Sequence, residues 1–205
     1  MSEHQKVISE TLSKLLGDFC PPAVVDNAEE GEFAEDLWQV LTDTGLTSAG
    51  LALDADGSGG DLEDSLLVVR EAAKFAAPMP LAEHFMAGML LSDQGQTIDA
   101  DPMTIAVGDF SIDENSMLSG SANNVAFARW CARILLVAKG PDGLQLCNVP
   151  ASEFEIVQKN SLAGEPRDSV SVASTLASDA FFSVGAEMPA RINLMGAGLR
   201  ALMMS

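Results

Sequence analysis

The hydrophobic pattern of this 205-residue chain changes its period near Gly95. Before that point apolar residues recur at the three-to-four-residue spacing of amphipathic helices. After it, short apolar runs are separated by Gly, Pro, Asn and Asp, which is typical of β-strands joined by turns. Helices followed by strands predict an α+β fold in which the two kinds of structure are segregated.

The most extended helical pattern covers residues 61–91, which we predict to form two helices joined by a Pro-Met-Pro corner. Asp61 is placed to cap the first helix, because its carboxylate can accept the free N–H groups of the first turn. Pro78 and Pro80 lack the N–H that a continuing helix needs, so the chain turns there. The buried stripe of the first helix is predicted from residues at helical spacing: Leu62, Leu66, Val69 and Ala73.

Two further helices are predicted before this pair, at residues 5–20 and 32–44. Between them, residues 26–36 carry six acids and are predicted to form a solvated loop and a helix start. The helix at 5–20 is expected to turn these residues inward: Val7, Ile8, Leu12, Leu15, Leu16 and Phe19.

The second half is predicted to be a small antiparallel β-barrel-like domain. Its expected strands lie at residues 103–107, 117–119, 125–127, 134–138, 144–149, 154–157, 170–173 and 180–184. Pro141-Asp142-Gly143 is a hairpin turn signal between two of them. A last helix begins at Pro189 and is expected to need a missing C-terminal part or a partner chain to cover it. We therefore predict a helical domain at 1–98, a β domain at 99–188 and the start of a C-terminal helical domain at 189–205.

Charge and cysteine usage limit the partners and the compartment. Thirty acidic residues against eleven basic ones give a formal charge of −19, which disfavours nucleic acid and anionic membranes as partners. The three cysteines form no CxxC pair, which favours reduced thiols in a cytosolic protein. The polar N-terminus has no apolar signal region, and no apolar run is long enough for a membrane span.

Motifs that would carry metal or nucleophilic chemistry are incomplete. Residues 54–60 resemble the start of a calcium loop, but Asp61 and Ser65 stand where that loop needs an apolar residue and a glutamate. The same glycine-rich segment lacks the Gly-Lys-Ser/Thr ending of a phosphate loop. His84 has no second histidine at a ligand spacing, and we interpret it as a packing residue. Cys131 and Cys147 are predicted to be small core residues within strands. No metal site is predicted.

Three stretches carry a resemblance to the acyl-CoA dehydrogenase family. Residues 53–91 resemble the family's passage of acids, Gly-Gly, a helix and Ala-Pro-x-Pro-Leu-Ala. Residues 117–139 resemble the passage in which a strand of the middle domain leads to a flavin-facing segment. Residues 189–204 resemble the opening of the helix that enters the C-terminal bundle. The resemblance implies a helical domain and a middle β domain, with the C-terminal bundle missing from this chain.

The chain departs from the family where the flavin ring would be contacted. Val-Gly-Asp-Phe at 107–110 stands in place of a Leu-Thr-Glu-Pro element whose backbone and threonine face the ring. Asn-Val-Ala-Phe at 124–127 stands in place of Trp-Ile-(Ser/Thr)-Asn, which covers the other side of the ring. The resemblance leaves four candidate contacts to FAD, mainly through the backbone: Val107, Gly108, Val125 and Ala126.

A complete member of the family removes an α proton with a glutamate while hydride passes from the β carbon to the flavin. That glutamate belongs to the C-terminal bundle, so the resemblance implies no catalytic residue within this chain. It implies an acyl-CoA dehydrogenase-like flavoprotein, or a subunit of one, for α,β-dehydrogenation of an acyl-CoA thioester. We expect the chain alone to be inactive, in a homo- or hetero-oligomer with a related subunit, and its FAD to be lost or shared with that subunit.

Two other interpretations remain open at this stage. The first is a catalytically silent structural subunit that partners an active paralogue, which the altered flavin elements favour. The second is an unrelated α+β binding module.

Overall fold

The computed structural model describes residues 2–177 and 180–204, which divide into two units. One unit comprises Met1–Ala100 together with Met195–Ser205, and the other comprises Asp101–Leu194. The α+β class is confirmed, because helices make up the first unit and strands the second. None of the helices described combines the length and the apolar character needed to cross a membrane.

Six α-helices are described, and α2 was not predicted. They are α1 (Glu3–Phe19), α2 (Pro22–Glu29), α3 (Glu35–Asp43), α4 (Leu62–Lys74), α5 (Leu81–Ser92) and α6 (Met188–Met203). The solvated loop predicted at 26–36 is wrong for its first residues, since Pro22 opens α2 at a position where its missing N–H is not needed. In α1, Val7 and Phe19 are exposed, contrary to prediction, while Ile8, Leu12 and Leu16 are buried.

The N-terminus of α4 is capped as predicted, but the helix is rotated from its predicted stripe. Asp61 accepts the Glu63 N–H at 2.9 Å and the Asp64 N–H at 3.3 Å, and the Asp64 carboxylate accepts the Asp61 N–H at 3.1 Å. Leu62 is exposed, and of the predicted stripe only Val69 is fully buried. Ser65 turns inward instead, because its hydroxyl donates to the Ala49 carbonyl at 2.6 Å.

Glu71 also lies on the buried side of α4, where an apolar pattern gives no sign of it. Lys74 Nζ donates to it at 2.8 Å and Arg70 Nη2 at 3.2 Å. Burial alone would raise the pKa of this carboxyl, but the hydrogen bonds and charges of Lys74 and Arg70 outweigh burial and lower it.

Helix α5 is buried on nearly every side, so it forms the centre of the helical unit. Gly88 allows the close approach, since a Cβ there would lie 2.8 Å from Cδ1 of Leu51. His84 is confirmed as a packing residue: it is 1% exposed, with its ring edge-on to Trp38 at 5.1 Å between centroids. Trp38 itself donates to the Ala100 carbonyl at 3.0 Å.

Helix α6 has one buried stripe, formed by Met188, Ile192 and Leu199. The expectation that nothing in this chain covers the helix is therefore wrong for that stripe. Its opposite side carries exposed apolar residues, including Leu194. The predicted end of this helix, Ser205, lies outside the described residues.

The second unit is a mixed sheet of β1 (Met103–Ala106), β2 (Asp109–Ile112), β3 (Met117–Ala126), β4 (Arg133–Gly140), β5 (Gly143–Pro150), β6 (Phe154–Val157), β7 (Arg167–Thr175) and β8 (Phe181–Val184). The strand order is β6-β7-β3-β2-β4-β5-β8, and β1 pairs with β4. The predicted antiparallel barrel is wrong in two respects. Both β1 and β2 run parallel to β4, and in the described residues the sheet is open, with β6 and β8 at its ends.

Several strand boundaries differ from prediction for a common reason, which is that polar residues interrupt the apolar runs. Two predicted strands, at 117–119 and 125–127, are parts of the single strand β3, whose outward-facing positions are polar. Strand β2 was missed because only Phe110 and Ile112 of its four residues are buried. The β4–β5 hairpin is confirmed, with Gly140 opposite Gly143 across the turn.

Candidate functional site

The structure brings the two predicted flavin elements together on neighbouring strands. One is the link between β1 and β2, which holds Val107 and Gly108, and the other is the end of β3, which holds Val125 and Ala126. Gly108 lies against β3: a Cβ there would overlap the Ser121 carbonyl oxygen and lie 2.7 Å from the Ala122 Cβ. The space beside Gly108 is thus filled by protein. The Val107 side chain, by contrast, is 58% exposed.

A bulge interrupts β3 just before Val125. Ala122 pairs with Val170 and Val125 with Asp168, so Asn123 and Asn124 together stand opposite one residue of β7. Asn124 has a φ of +58°, in the left-handed region that asparagine tolerates better than most residues. The bulge places the exposed Asn124 at the position that the resemblance assigns to tryptophan.

Val125 and Ala126 face opposite sides of the sheet, because successive residues of a strand alternate. Val125 belongs to the main core of this unit, together with Ala122 and Ala128. Ala126 belongs to a separate small cluster with Phe127 and Cys131, against which Trp130 packs. The carbonyl of Ala126 accepts the buried Thr104 hydroxyl at 2.7 Å.

Phe127 covers Ala126 through an unusual backbone conformation. Its φ of +53° is uncommon for an aromatic residue, and its N–H donates to the Pro166 carbonyl at 3.2 Å. A 3-10 turn at Ala128–Trp130 follows, in which the Trp130 N–H donates to the Phe127 carbonyl at 2.9 Å. The turn brings the Trp130 ring to 5.8 Å from the Phe127 ring, with 31° between the planes.

A buried ion pair anchors this turn to β7. The side chain of Asp168 is fully buried, and Arg129 donates to it from Nη2 at 2.5 Å and from its backbone N at 2.9 Å. The Lys159 N–H donates to the same carboxylate at 3.1 Å. Arg129 Nη2 also reaches the Lys159 carbonyl at 2.6 Å and Asn160 Oδ1 at 3.0 Å. Sequence reasoning missed both members of this pair, because they lie 39 residues apart.

The four predicted residues do not fit a flavin ring as a set of ligands. Val125 points into the core, Ala126 is covered by Phe127, and the carbonyl of Ala126 is already bonded. Gly108 packs against β3, and Val107 offers only an apolar side chain. The hydroxyl that would hydrogen-bond a ring in the resemblance has no counterpart at these positions. What remains for a ring is backbone contact at the rim formed by Val107 and Asn124.

The cysteines offer no alternative nucleophile. Burial raises the pKa of Cys147 to about 12 and raises that of Cys20, so both stay protonated at neutral pH. Cys147 lies in β5 as predicted, whereas Cys131 follows the 3-10 turn instead of lying in a strand. All three cysteines are free thiols. Within the described ranges, no group of three or more His, Cys, Asp or Glu residues is arranged to hold a metal ion.

Comparison with known proteins identifies the helical unit. Residues 2–97 match the family described as "Acyl-CoA dehydrogenase, N-terminal domain". The chain is also 31% identical over 100 residues to the acyl-CoA dehydrogenase IpdE2 of Mycolicibacterium smegmatis, a match that covers 47% of this chain. The chain belongs to the acyl-CoA dehydrogenase family. An unrelated binding module is thereby ruled out.

Solved structures of acyl-CoA dehydrogenases (ACADs) show that the fold extends through the β unit. The ChsE4-ChsE5 complex from Mycobacterium tuberculosis matches 99% of this chain with a TM-score of 0.86 at 15% identity. A variant of the Tcur3481-Tcur3483 steroid ACAD matches 98% with a TM-score of 0.82 at 19% identity. At these identities the likeness establishes the fold of this ACAD family member and not its substrate.

The chain spans only part of these relatives. It matches 32% of the length of the M. smegmatis protein, and 63% and 62% of the two structural chains. Whole-protein activity, substrate and assembly of this ACAD family member are therefore matters for proposal.

Proposed function

We propose that this chain is a subunit of a heteromeric acyl-CoA dehydrogenase that converts an acyl-CoA thioester to its α,β-unsaturated form. In this proposal a related subunit supplies the residues that hold FAD and the catalytic carboxylate. The chain contributes the helical and β units as a scaffold and has no catalytic residue of its own.

The observation that carries the proposal is the covered Ala126. The family fold is complete through the β unit, so the chain has the framework of an ACAD. Yet Ala126 has lost the hydroxyl and is covered by Phe127, which closes one of the two flavin elements. A framework without a usable ring contact is what a non-catalytic subunit would have. The two similar structures are each described by a pair of protein names, which supports a two-component assembly.

The substrate class is the least defined part of the proposal. One similar structure is called a steroid ACAD. A CoA thioester with a steroid nucleus is therefore the first substrate to test, beside straight-chain acyl-CoA thioesters of several lengths. Conversion of the steroid thioester alone would define the class, and equal rates on all thioesters would exclude steroid specificity.

The test is co-expression of this chain with a related ACAD subunit from the same source, beside each chain alone. We expect a flavin absorption spectrum and dehydrogenase activity only in the complex, with native mass measurement giving its composition. A bound flavin spectrum from this chain alone would contradict the proposal, because it would mean that the altered elements hold the ring.

The second candidate is a silent structural subunit that takes no part in building the active site. The same covered Ala126 favours it. It predicts that the partner alone shows full flavin content and activity per flavin, and that adding this chain changes only its stability. Activity that requires both chains would exclude this candidate.

A further inference from the structure

The closed flavin element suggests a specific cause, namely two aromatic rings of the chain itself. Ala126 faces the side of the sheet away from the main core, and Phe127 and Trp130 pack on that side. Their rings are 5.8 Å apart and 31° from parallel, which is close to an offset stack. Phe127 is buried, whereas Trp130 is half-buried and forms the outer layer.

We propose that Phe127 and Trp130 form an intrinsic aromatic plug, which occupies the face of Ala126 that an isoalloxazine ring would otherwise cover. The inference deepens the proposed function and rests on it, since the family resemblance assigns this face to the flavin. It goes further by naming the residues that exclude the ring. It concerns the chain as it stands and requires no oxidation or bond formation.

The backbone around the plug is held in place from both sides. Thr104 fixes the Ala126 carbonyl, and the Pro166 carbonyl fixes the Phe127 N–H. The Arg129–Asp168 pair then anchors the 3-10 turn that returns Trp130 over Phe127. A left-handed φ at a phenylalanine is unfavourable by itself, and it persists where surrounding contacts enforce it. These contacts make the plug a built feature of the fold.

The plug can be removed without disturbing the backbone. Glycine adopts a φ of +53° without a steric penalty, and asparagine tolerates it, so Phe127→Gly and Phe127→Asn delete the ring and keep the turn. Phe182→Ala is the matched control, because it removes a half-buried ring from β8. Far-ultraviolet circular dichroism checks that each variant folds.

The experiment uses the intrinsic fluorescence of Trp130. The chain has two tryptophans, so Trp38→Phe leaves Trp130 as the single emitter. Lumiflavin, which is the bare isoalloxazine ring, is titrated into the chain in this background with and without the Phe127 substitutions. A flavin stacked beside Trp130 quenches its emission, and N-acetyltryptophanamide corrects for absorption by the dye.

We expect no saturable quenching in the Trp38→Phe chain or with Phe182→Ala, and saturable quenching with Phe127→Gly and Phe127→Asn. The gain in lumiflavin affinity should be roughly tenfold or more, which corresponds to the loss of one aromatic stacking contact. Saturable quenching with Phe127 in place would overturn the plug. Its absence from all chains that fold would overturn it too, because something other than the aromatic pair would then exclude the ring. Neither result decides whether a partner subunit carries FAD, so failure here is distinct from failure of the proposed function.

Discussion

At the scale of single residues, His84 is a neutral imidazole enclosed by the helical unit. Burial lowers its pKa from 6.5 to about 4. Among the described residues, its Nδ1 has no hydrogen-bond partner. A histidine whose pKa is depressed by folding contributes stability that is fully present above pH 6.5. That contribution is lost as the pH falls from 6.5 toward 4, because the unfolded chain then binds the proton first.

We predict that His84→Phe flattens the pH dependence of stability. Between pH 8 and pH 5 the chain should lose about 2 kcal/mol of unfolding free energy through His84, and the variant should not lose it. Urea unfolding at both pH values measures this difference. His4→Gln is the matched control, since His4 is largely exposed. A pH dependence that is the same in the chain and in His84→Phe would show that His84 is not the group responsible.

Asp168 is the other residue whose loss should be felt, because its carboxylate is fully buried and receives the Arg129 side chain. Asp168→Asn leaves the guanidinium buried without a counter-charge, and we expect a loss of roughly 3 kcal/mol of unfolding free energy. Glu165→Gln removes a partly exposed partner of Arg167 and should cost less than about 1 kcal/mol. Guanidinium unfolding monitored by Trp130 emission compares the two. Equal losses would show that burial of the Arg129–Asp168 pair has no special weight.

At the scale of elements, local signals were sufficient for some features and not for others. The α4–α5 pair and the β4–β5 hairpin follow from proline positions, caps and turn residues that act within a few positions. Helix α2 was missed because its acids suggested a loop, although Pro22 is a good first residue for a helix. The parallel pairing of β1 with β4 joins segments about thirty residues apart, so no local pattern reports it.

The candidate site shows the same division. The resemblance located the rim segments at 107–110 and 124–127, and the structure places them on neighbouring strands. Which way Ala126 faces depends on the bulge in β3, and its cover depends on the left-handed φ of Phe127. Neither feature has a period or a spacing. Asp168 was invisible for a different reason: its value to the site comes only from a partner brought near by folding.

A cap prediction also belongs at this scale. Asp61→Ala should lower the unfolding free energy by about 1 kcal/mol, because the N–H groups of Glu63 and Asp64 lose their acceptor. Asp61→Ser should retain most of the stability. Asp54→Ala, which removes an exposed acid in a 3-10 turn, should have little effect. Thermal unfolding followed by circular dichroism at 222 nm orders the three variants. A chain stabilised by Asp61→Ala would mean that acidic repulsion at this turn outweighs the cap.

At the scale of the whole molecule, the dominant property is a formal charge of −19. Most of the acids lie in the first hundred residues, where the basic residues are Lys6, Lys14, Arg70 and Lys74. Arg70 and Lys74 are already paired with buried Glu71, so they neutralise little of the surface. Like charges of this density repel one another and destabilise the compact state.

Salt should therefore stabilise this chain. Raising NaCl from about 20 mM to about 200 mM shortens the screening length to below roughly 10 Å, so the melting temperature should rise by several degrees. The triple substitution Glu29→Gln, Glu30→Gln and Glu32→Gln removes three exposed charges near the end of α2 and should reduce that rise. Differential scanning calorimetry at several salt concentrations gives both slopes. A melting temperature that falls with NaCl would contradict the argument, since it would mean that attractive ion pairs such as Arg129–Asp168 outweigh the net repulsion. A positive slope that the triple variant leaves unchanged would locate the repulsion elsewhere on the acidic surface.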